Sequence, residues 1–268
     1  MRNKSTRLLR SFLLFLGLIV LFFLIFQIFA PRPKKYKEVD IKPQKIVYTA
    51  IGDSITHGVG DTNENQGFVG ALKDRFEELE IQTKVNNYGY TGETSAQIRK
   101  RLKTNYKLKK AIAKADFITF EMGGNDMIYT IQNNFFKLRK EEFKPRAKNY
   151  QKNLKWSLRE IRKINPRAKI IVLGIYNPFS LYFSEIKDLD ELFKEWNNIT
   201  NETSKEIYGC YFEDIDHLIN GKKAKKMVDG KIVNRYLSSK DSVHPNGQGY
   251  SIIANDLFKL INKYKILR

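Results

Sequence analysis

From residue 45 onward, short apolar runs alternate with stretches in which apolar residues recur every three or four positions. The runs are KIVYTAI (45–51), TKVNNY (83–88), DFITFEM (116–122), KIIVLGI (169–175) and IYGCYFE (207–213). Their length and their nearly unbroken apolar character predict strands buried on both faces of a parallel sheet. Between them, Phe68, Leu72, Phe76 and Leu79 fall on one helical face, as do Tyr150, Leu154, Leu158, Ile161 and Ile164. Tyr250, Ile253, Leu257, Leu260, Ile261 and Tyr264 do the same near the end of the chain. Such stripes predict amphipathic helices facing a core. Strands alternating with helices predict a three-layer α/β/α sandwich with a mostly parallel, five-stranded sheet. Two segments fit the alternation poorly. Residues 127–145 suit either a helical lid or a surface insertion, and residues 214–240 form a basic loop with an Asp229-Gly230 hairpin turn signal.

The first 44 residues follow a different pattern. A basic segment, residues 1–10, precedes SFLLFLGLIVLFFLIFQIFA, residues 11–30, which carries no charge. A helix of that length spans roughly 30 Å, the hydrocarbon thickness of a bilayer. The run is longer than the apolar core of a cleavable signal peptide and lacks a small-x-small site before Pro31, which predicts an uncleaved transmembrane signal anchor. Arg2, Lys4, Arg7 and Arg10 favour an N-terminus held inside, leaving residues 45–268 as a domain outside the cytoplasm. Cleavage after the apolar run would instead release a secreted domain. Residues 31–44, rich in Pro and Lys, read as a polar stalk.

Charge narrows the partners. Of 268 residues, 42% are hydrophobic and 29% charged, as expected of a folded chain, and the net charge is +19. Residues 1–37 hold eight basic and no acidic residues, so 40 basic face 29 acidic in the rest, an excess of 11. No nucleic-acid-binding motif accompanies that excess, and an anionic lipid or anionic envelope polymer accounts for it better than nucleic acid. Cys210 is the only cysteine, which excludes an intrachain disulfide, and no Cys/His cluster shows metal-ligand spacing. No metal or cofactor is expected.

Candidate chemistry lies where runs end. YTAIGDSITHGVG, residues 48–60, takes a strand into a glycine-rich turn around Ser54. The turn suits an ordinary helix cap, and it equally suits a nucleophile presented at the carboxyl edge of a sheet. SSKDSVHPNGQGY places Asp241 three residues before His244, close enough for a carboxylate to orient the imidazole of the same turn. NNYGYTGET and EMGGNDM end the second and third runs with glycines at 89, 92, 123 and 124 and with Asn125, which offer backbone and amide donors along the same edge.

Taken together these blocks resemble the SGNH hydrolases, the GDSL esterase and lipase family. Gly52-Asp53-Ser54 with Gly58 is similar to the first block, Asn87-Tyr88-Gly89 to the second, Gly123-Gly124-Asn125-Asp126 to the third, and Asp241 through Pro245 to the last. Ile55 stands where the name-giving motif has leucine. The resemblance covers residues 45 to about 264 and implies a flavodoxin-like sandwich. It implies Ser54 as nucleophile, His244 as base and Asp241 as its orienting acid. The oxyanion hole it implies consists of the Ser54 and Gly89 backbone N–H groups and the Asn125 side-chain amide. The expected activity is hydrolysis of an acyl ester, of a small molecule, lipid or carbohydrate, through an acyl-enzyme. Two alternatives stay open: acyl transfer to an envelope sugar, and a non-catalytic module that holds an anionic polymer or lipid.

Overall fold

A computed structural model describes residues 45–133, 140–182 and 187–267. The basic segment 1–10, the expected anchor 11–30 and the stalk 31–44 lie outside the described residues. Among the described residues no helix is long and apolar enough to cross a membrane.

Five strands form the main sheet: β1 (Lys45–Gly52), β2 (Gln82–Gly89), β3 (Phe117–Glu121), β4 (Lys169–Leu173) and β5 (Cys210–Glu213). Their order is β2-β1-β3-β4-β5, and every pairing is parallel. β3 is buried at every position and β1 nearly so, which explains why both read as unbroken apolar runs. The edge strand β5 is shorter than expected. Gly209, at φ +71°, turns the chain before it, and the N–H of Cys210 closes that turn on the carbonyl of Ile207.

Nine helices follow in chain order among the described residues: α1 (Ser54–His57), α2 (Gly67–Glu77), α3 (Ser95–Thr104), α4 (Tyr106–Lys114), α5 (Gly124–Asn133), α6 (Lys140–Ile164), α7 (Lys187–Lys205), α8 (Asp216–Asn220) and α9 (Gly247–Lys263). Side chains that alternate along the strands enter two cores. Ile51, Ile118 and Ile170 pack with Ile98, Leu108, Tyr150, Leu158 and Trp196 on one face. Ala50, Phe117 and Ile171 pack with Phe68, Leu72, Phe76, Tyr250 and Leu257 on the other. Each fully buried side chain of this kind contributes about 1.5–3 kcal/mol, so two such layers hold the sheet between helices. Leu79 and Tyr264 drop out of their stripes because α2 stops at Glu77 and α9 at Lys263. The segment expected as a lid or insertion supplies α5 and the start of α6, which begins ten residues before Tyr150 and carries Pro145 inside it. Residues 225–234 form a separate antiparallel ribbon, β6 (Lys225–Val228) and β7 (Lys231–Asn234), turning at Asp229-Gly230 as its signal suggested.

β2 and β3 flank β1 on opposite sides, so the connections leaving β1 and β3 diverge at the carboxyl edge. Open α/β sheets form a crevice at such a switch point. Ser54 follows β1 at this place.

Candidate active site

Ser54 opens α1 two residues after β1 ends at Gly52, with Asp53, the helix cap, between them. The Asp53 carboxylate accepts the N–H of Ile55 at 3.0 Å, satisfying one of the unpaired donors of the first turn. The cap thus fixes the turn, and Ser54 is buried on the wall of a cleft. The N–H of Asp53 itself donates to the carboxylate of Glu121, on β3, at 3.0 Å, and the Thr56 hydroxyl donates to the same oxygen at 3.4 Å. A side chain on Gly52 would collide with Thr56 and Glu121, so the strand must end on glycine for the two carboxyl groups to meet behind the nucleophile. Burial pushes Asp53 up from the usual carboxylate range and Glu121 well above it, with their mutual proximity adding to the effect on Glu121. Burial and the neighbouring carboxyl group therefore favour the protonated form, most strongly at Glu121.

His244 comes from a loop 190 residues away in sequence. Its Nε2 lies 3.0 Å from Ser54 Oγ, and its Nδ1 lies 2.6 Å from Asp241 Oδ2. The other Asp241 oxygen accepts the N–H groups of Val243 and His244 at 2.9 and 3.0 Å. Partial burial acts upward on the Asp241 pKa, but the Val243 N–H and the His244 ring and N–H outweigh it and hold the carboxyl below its usual range. An ionised Asp241 requires the proton on Nδ1, which leaves the Nε2 lone pair facing the Ser54 hydroxyl. The loop is anchored by the Ser238 N–H on the His244 carbonyl, by the Tyr176 hydroxyl on the Val243 carbonyl, and by Asn246, which caps α9. Gly60, at φ +86°, lets the loop settle on the Ser54 turn, since a Cβ there would sit 2.8 Å from the Pro245 carbonyl oxygen and 2.9 Å from His244 Cβ.

The expected oxyanion donors fare unequally. Gly89 is corrected: its N–H donates to the side chain of Asn87 at 2.9 Å, and Asn87 in turn donates to the Thr56 carbonyl at 3.0 Å. A Cβ on Gly89 would lie 2.2 Å from the His57 nitrogen, so this glycine is there to let β2 pack on α1. Gly92 lies three residues on, at the third position of a turn closed by the Glu93 N–H on the Tyr90 carbonyl. Its φ is +80°, as a type II turn requires, and nothing lies within 4 Å of where its Cβ would be. Asn125 does approach the nucleophile, where its amide donates to Asp53 Oδ2 and to the Glu93 carbonyl, both at 3.0 Å. The adjoining Asp126 accepts both the N–H and the hydroxyl of Ser95, clipping the start of α3 to the start of α5.

Two buried ionisable groups escaped sequence reasoning. Glu121 was one more residue of an apolar strand, and a carboxylate amid FITFEM was the only signal it gave. Arg101, on the buried face of α3, donates to the carbonyls of Gly52 and Tyr88 and pairs with Glu93 at 2.7 Å, tying both strand ends to the Gly92 turn.

Ser54, His244 and Asn125 open into a cleft of about 110 Å³ walled by Ile55, Ile128, Ile175, Pro178, Phe193 and Ile215. A larger polar cavity of about 530 Å³ lies between α7 and α8, lined by Asn177, Asp190, Asn197, Asp214 and Asp216, with Ser180 and His217 also on its wall. Of the other histidines, His57 rests on the Gly89 carbonyl at 3.2 Å. His217 stands with Glu213 and Asp256, their ligand atoms within 4.8 Å of one another, and burial together with Asp256 pushes Glu213 up to about 8.

Residues 50–252 match the GDSL-like Lipase/Acylhydrolase family. The chain is 33% identical over 258 residues to the uncharacterized protein YpmR of Bacillus subtilis strain 168, covering 95% of this chain and 97% of that one. It is 29% identical over 218 residues to the spore germination lipase LipC of Bacillus licheniformis, covering 78% and 93%. The lipase Lip_vut3 from a goat rumen metagenome superposes with a TM-score of 0.67 at 26% identity, over 80% of this chain and 96% of that one. With a family match across three quarters of its length and a glycine-framed serine at the switch point of its sheet, the chain belongs to the GDSL-like lipase and acylhydrolase family.

Proposed function

We propose that this chain is a membrane-anchored, extracytoplasmic serine esterase that cleaves short-acyl esters through Ser54, His244 and Asp241. The unbroken line of hydrogen bonds from Ser54 Oγ through His244 to Asp241 is the observation that carries the proposal. Ser54 Oγ attacks the acyl carbonyl while Nε2 takes its proton, and Asp241 steadies the imidazolium without accepting that proton. Nε2 then protonates the departing alcohol, leaving the acyl group on Ser54, and a water molecule repeats the sequence to release the acid. The tetrahedral oxyanion is taken by the Ser54 N–H, by the Asn125 amide in exchange for its bond to Glu93, and by the N–H of Gly92 in place of Gly89. The narrow apolar cleft favours a short acyl chain. Twenty uncharged residues at 11–30 behind four basic ones support the anchor and its orientation.

A nitrophenyl ester series from acetate to palmitate, run beside fluorophosphonate labelling, tests the assignment. Wild-type protein should label at Ser54 and favour the short esters, and Ser54→Ala should do neither. Undiminished turnover by folded Ser54→Ala protein would overturn it.

A further inference from the structure

The ribbon of β6 and β7 stands outside the main sheet and takes no part in the chemistry above. Asp229 and Gly230, at φ +48° and +74°, make its tip, and nothing lies within 4 Å of a Cβ built on Gly230, so the tip projects freely. Met227 faces Ile232 across the ribbon, and Val228 faces Lys231. Met227 is 63% exposed, Ile232 51% and Val228 40%, and Tyr182, 49% exposed, borders the same groove as Val228 and Lys226. Single exposed apolar residues are ordinary, but three on one projecting ribbon, Met227 and Ile232 on one face and Val228 on the other, with Tyr182 in the groove that Val228 borders, are not. The same segment is strongly basic. Lys222, Lys223, Lys225, Lys226, Lys231, Arg235 and Lys240 are all exposed, and Asp229 is the sole acid between residues 222 and 240.

We propose that this ribbon docks the domain on an anionic lipid surface, with Met227, Val228, Ile232 and Tyr182 entering the interfacial layer and the lysines meeting lipid phosphates. Basic clusters beside an apolar tip suit such a surface, where each lysine strengthens binding about fivefold. A soluble polyanion would use the lysines and leave the apolar tip in water. A stalk of 14 residues reaches at most about 50 Å, so an anchored domain stays within range of the bilayer. The ribbon also leads directly into the loop of the base: Leu237 bridges to Pro245, and the groove at the foot of the ribbon is lined by Ser238, Ser239 and Ser242. Docking therefore brings lipid next to His244, a consequence that rests on the esterase proposal, whereas the docking itself does not.

The test uses the full chain in bilayer nanodiscs, with Cys210→Ala and one new cysteine carrying a fluorophore, either Met227→Cys or Leu79→Cys. Leu79 is 57% exposed and precedes β2, at the opposite edge of the sheet from Ser54. In discs containing phosphatidylglycerol, brominated lipid should quench the label at 227 several times more than the label at 79. The difference should shrink in pure phosphatidylcholine, after Val228→Ser with Ile232→Ser, and after Lys225→Glu with Lys226→Glu and Lys231→Glu. Equal quenching at the two positions overturns the proposal. So does quenching that survives the serine changes but not the charge reversals, because lysines alone would then suffice. Turnover of a water-soluble ester by the same labelled proteins depends on Ser54 and not on lipid, which keeps a failure here separate from a failure of the esterase proposal.

Discussion

The nucleophile and its base are held in opposite ways. Ser54 sits in a buried turn whose backbone is fixed from beneath by Asp53, Glu121 and Asn125, drawn from the helix cap after β1, from β3 and from the start of α5. His244 sits on a half-exposed loop, and its acid comes from the same loop three residues earlier. Rigidity on one side is tertiary and on the other local. A change on the base side should therefore remove activity and leave the fold, whereas a change beneath the nucleophile should touch both.

The largest effects test that contrast directly. His244→Ala and Ser54→Ala should lower kcat/KM by a factor on the order of a million, and Asp241→Asn by a factor on the order of ten thousand, since the amide favours the wrong imidazole tautomer. His244→Ala and Asp241→Asn should melt close to wild type. A drop of more than a few degrees in either would mean that the base loop is part of the folding core after all.

Asn125→Ala comes next. Loss of an oxyanion donor costs about 100- to 1,000-fold in kcat with KM little changed. The same substitution strands Asp53 Oδ2 and the Glu93 carbonyl, at about 1–3 kcal/mol for each buried group left without a partner. Both losses together are expected, measured as kcat per labelled serine beside the melting temperature. Normal kcat in a destabilised variant would make Asn125 a tie and nothing more.

How far all this was legible follows from where the partners lie. The parallel sheet announced itself because strands covered on both faces need apolar residues at nearly every position, and β1 and β3 obey that rule. The start of β5 did not, because a turn at Gly209 looks like strand until its φ is known. Asp241 and His244 could be paired from spacing, their bond being local. The partnership of Glu121 with Asp53 spans 68 residues and that of Arg101 with Gly52 spans 49, separations across which no sequence period operates. Gly89 and Gly92 stand three residues apart in one glycine-rich block, and only the collision with His57 reveals which of them serves packing.

That distinction predicts a smaller, separable effect. Gly89→Ala forces Cβ into the backbone of α1 and should cost about 1–3 kcal/mol of stability, with kcat per folded molecule intact. Gly92→Ala has room for its methyl group but must hold a left-handed backbone, at about 1–2 kcal/mol. Because its N–H is assigned to the oxyanion, kcat should fall there as well. If the two variants differ in neither kcat nor its ratio to labelled sites, Gly92 has no part in the mechanism.

The smallest effect separates the two sides by pH. Burial first and Asp53 second hold the Glu121 carboxyl well above its ordinary range in the folded chain, where an unfolded glutamate releases its proton near pH ~4.3. Its contribution to stability is whole below that pH and declines as pH rises toward the folded pKa, with a slope of at most about 1.4 kcal/mol per unit. Asp241 runs the other way: its depressed pKa contributes stability above the usual carboxylate range, and the contribution fades as pH falls. Glu121→Gln keeps the size and an N–H donor but has no proton to release, so its melting temperature should gain on wild type as pH rises from 4 to 8, with any residual slope left to Asp53. Asp241→Asn should lose its deficit relative to wild type as pH falls below 4. Parallel melting curves for Glu121→Gln and wild type would show that no proton is held beneath Ser54, and the nucleophile would then rest on packing and neutral hydrogen bonds alone.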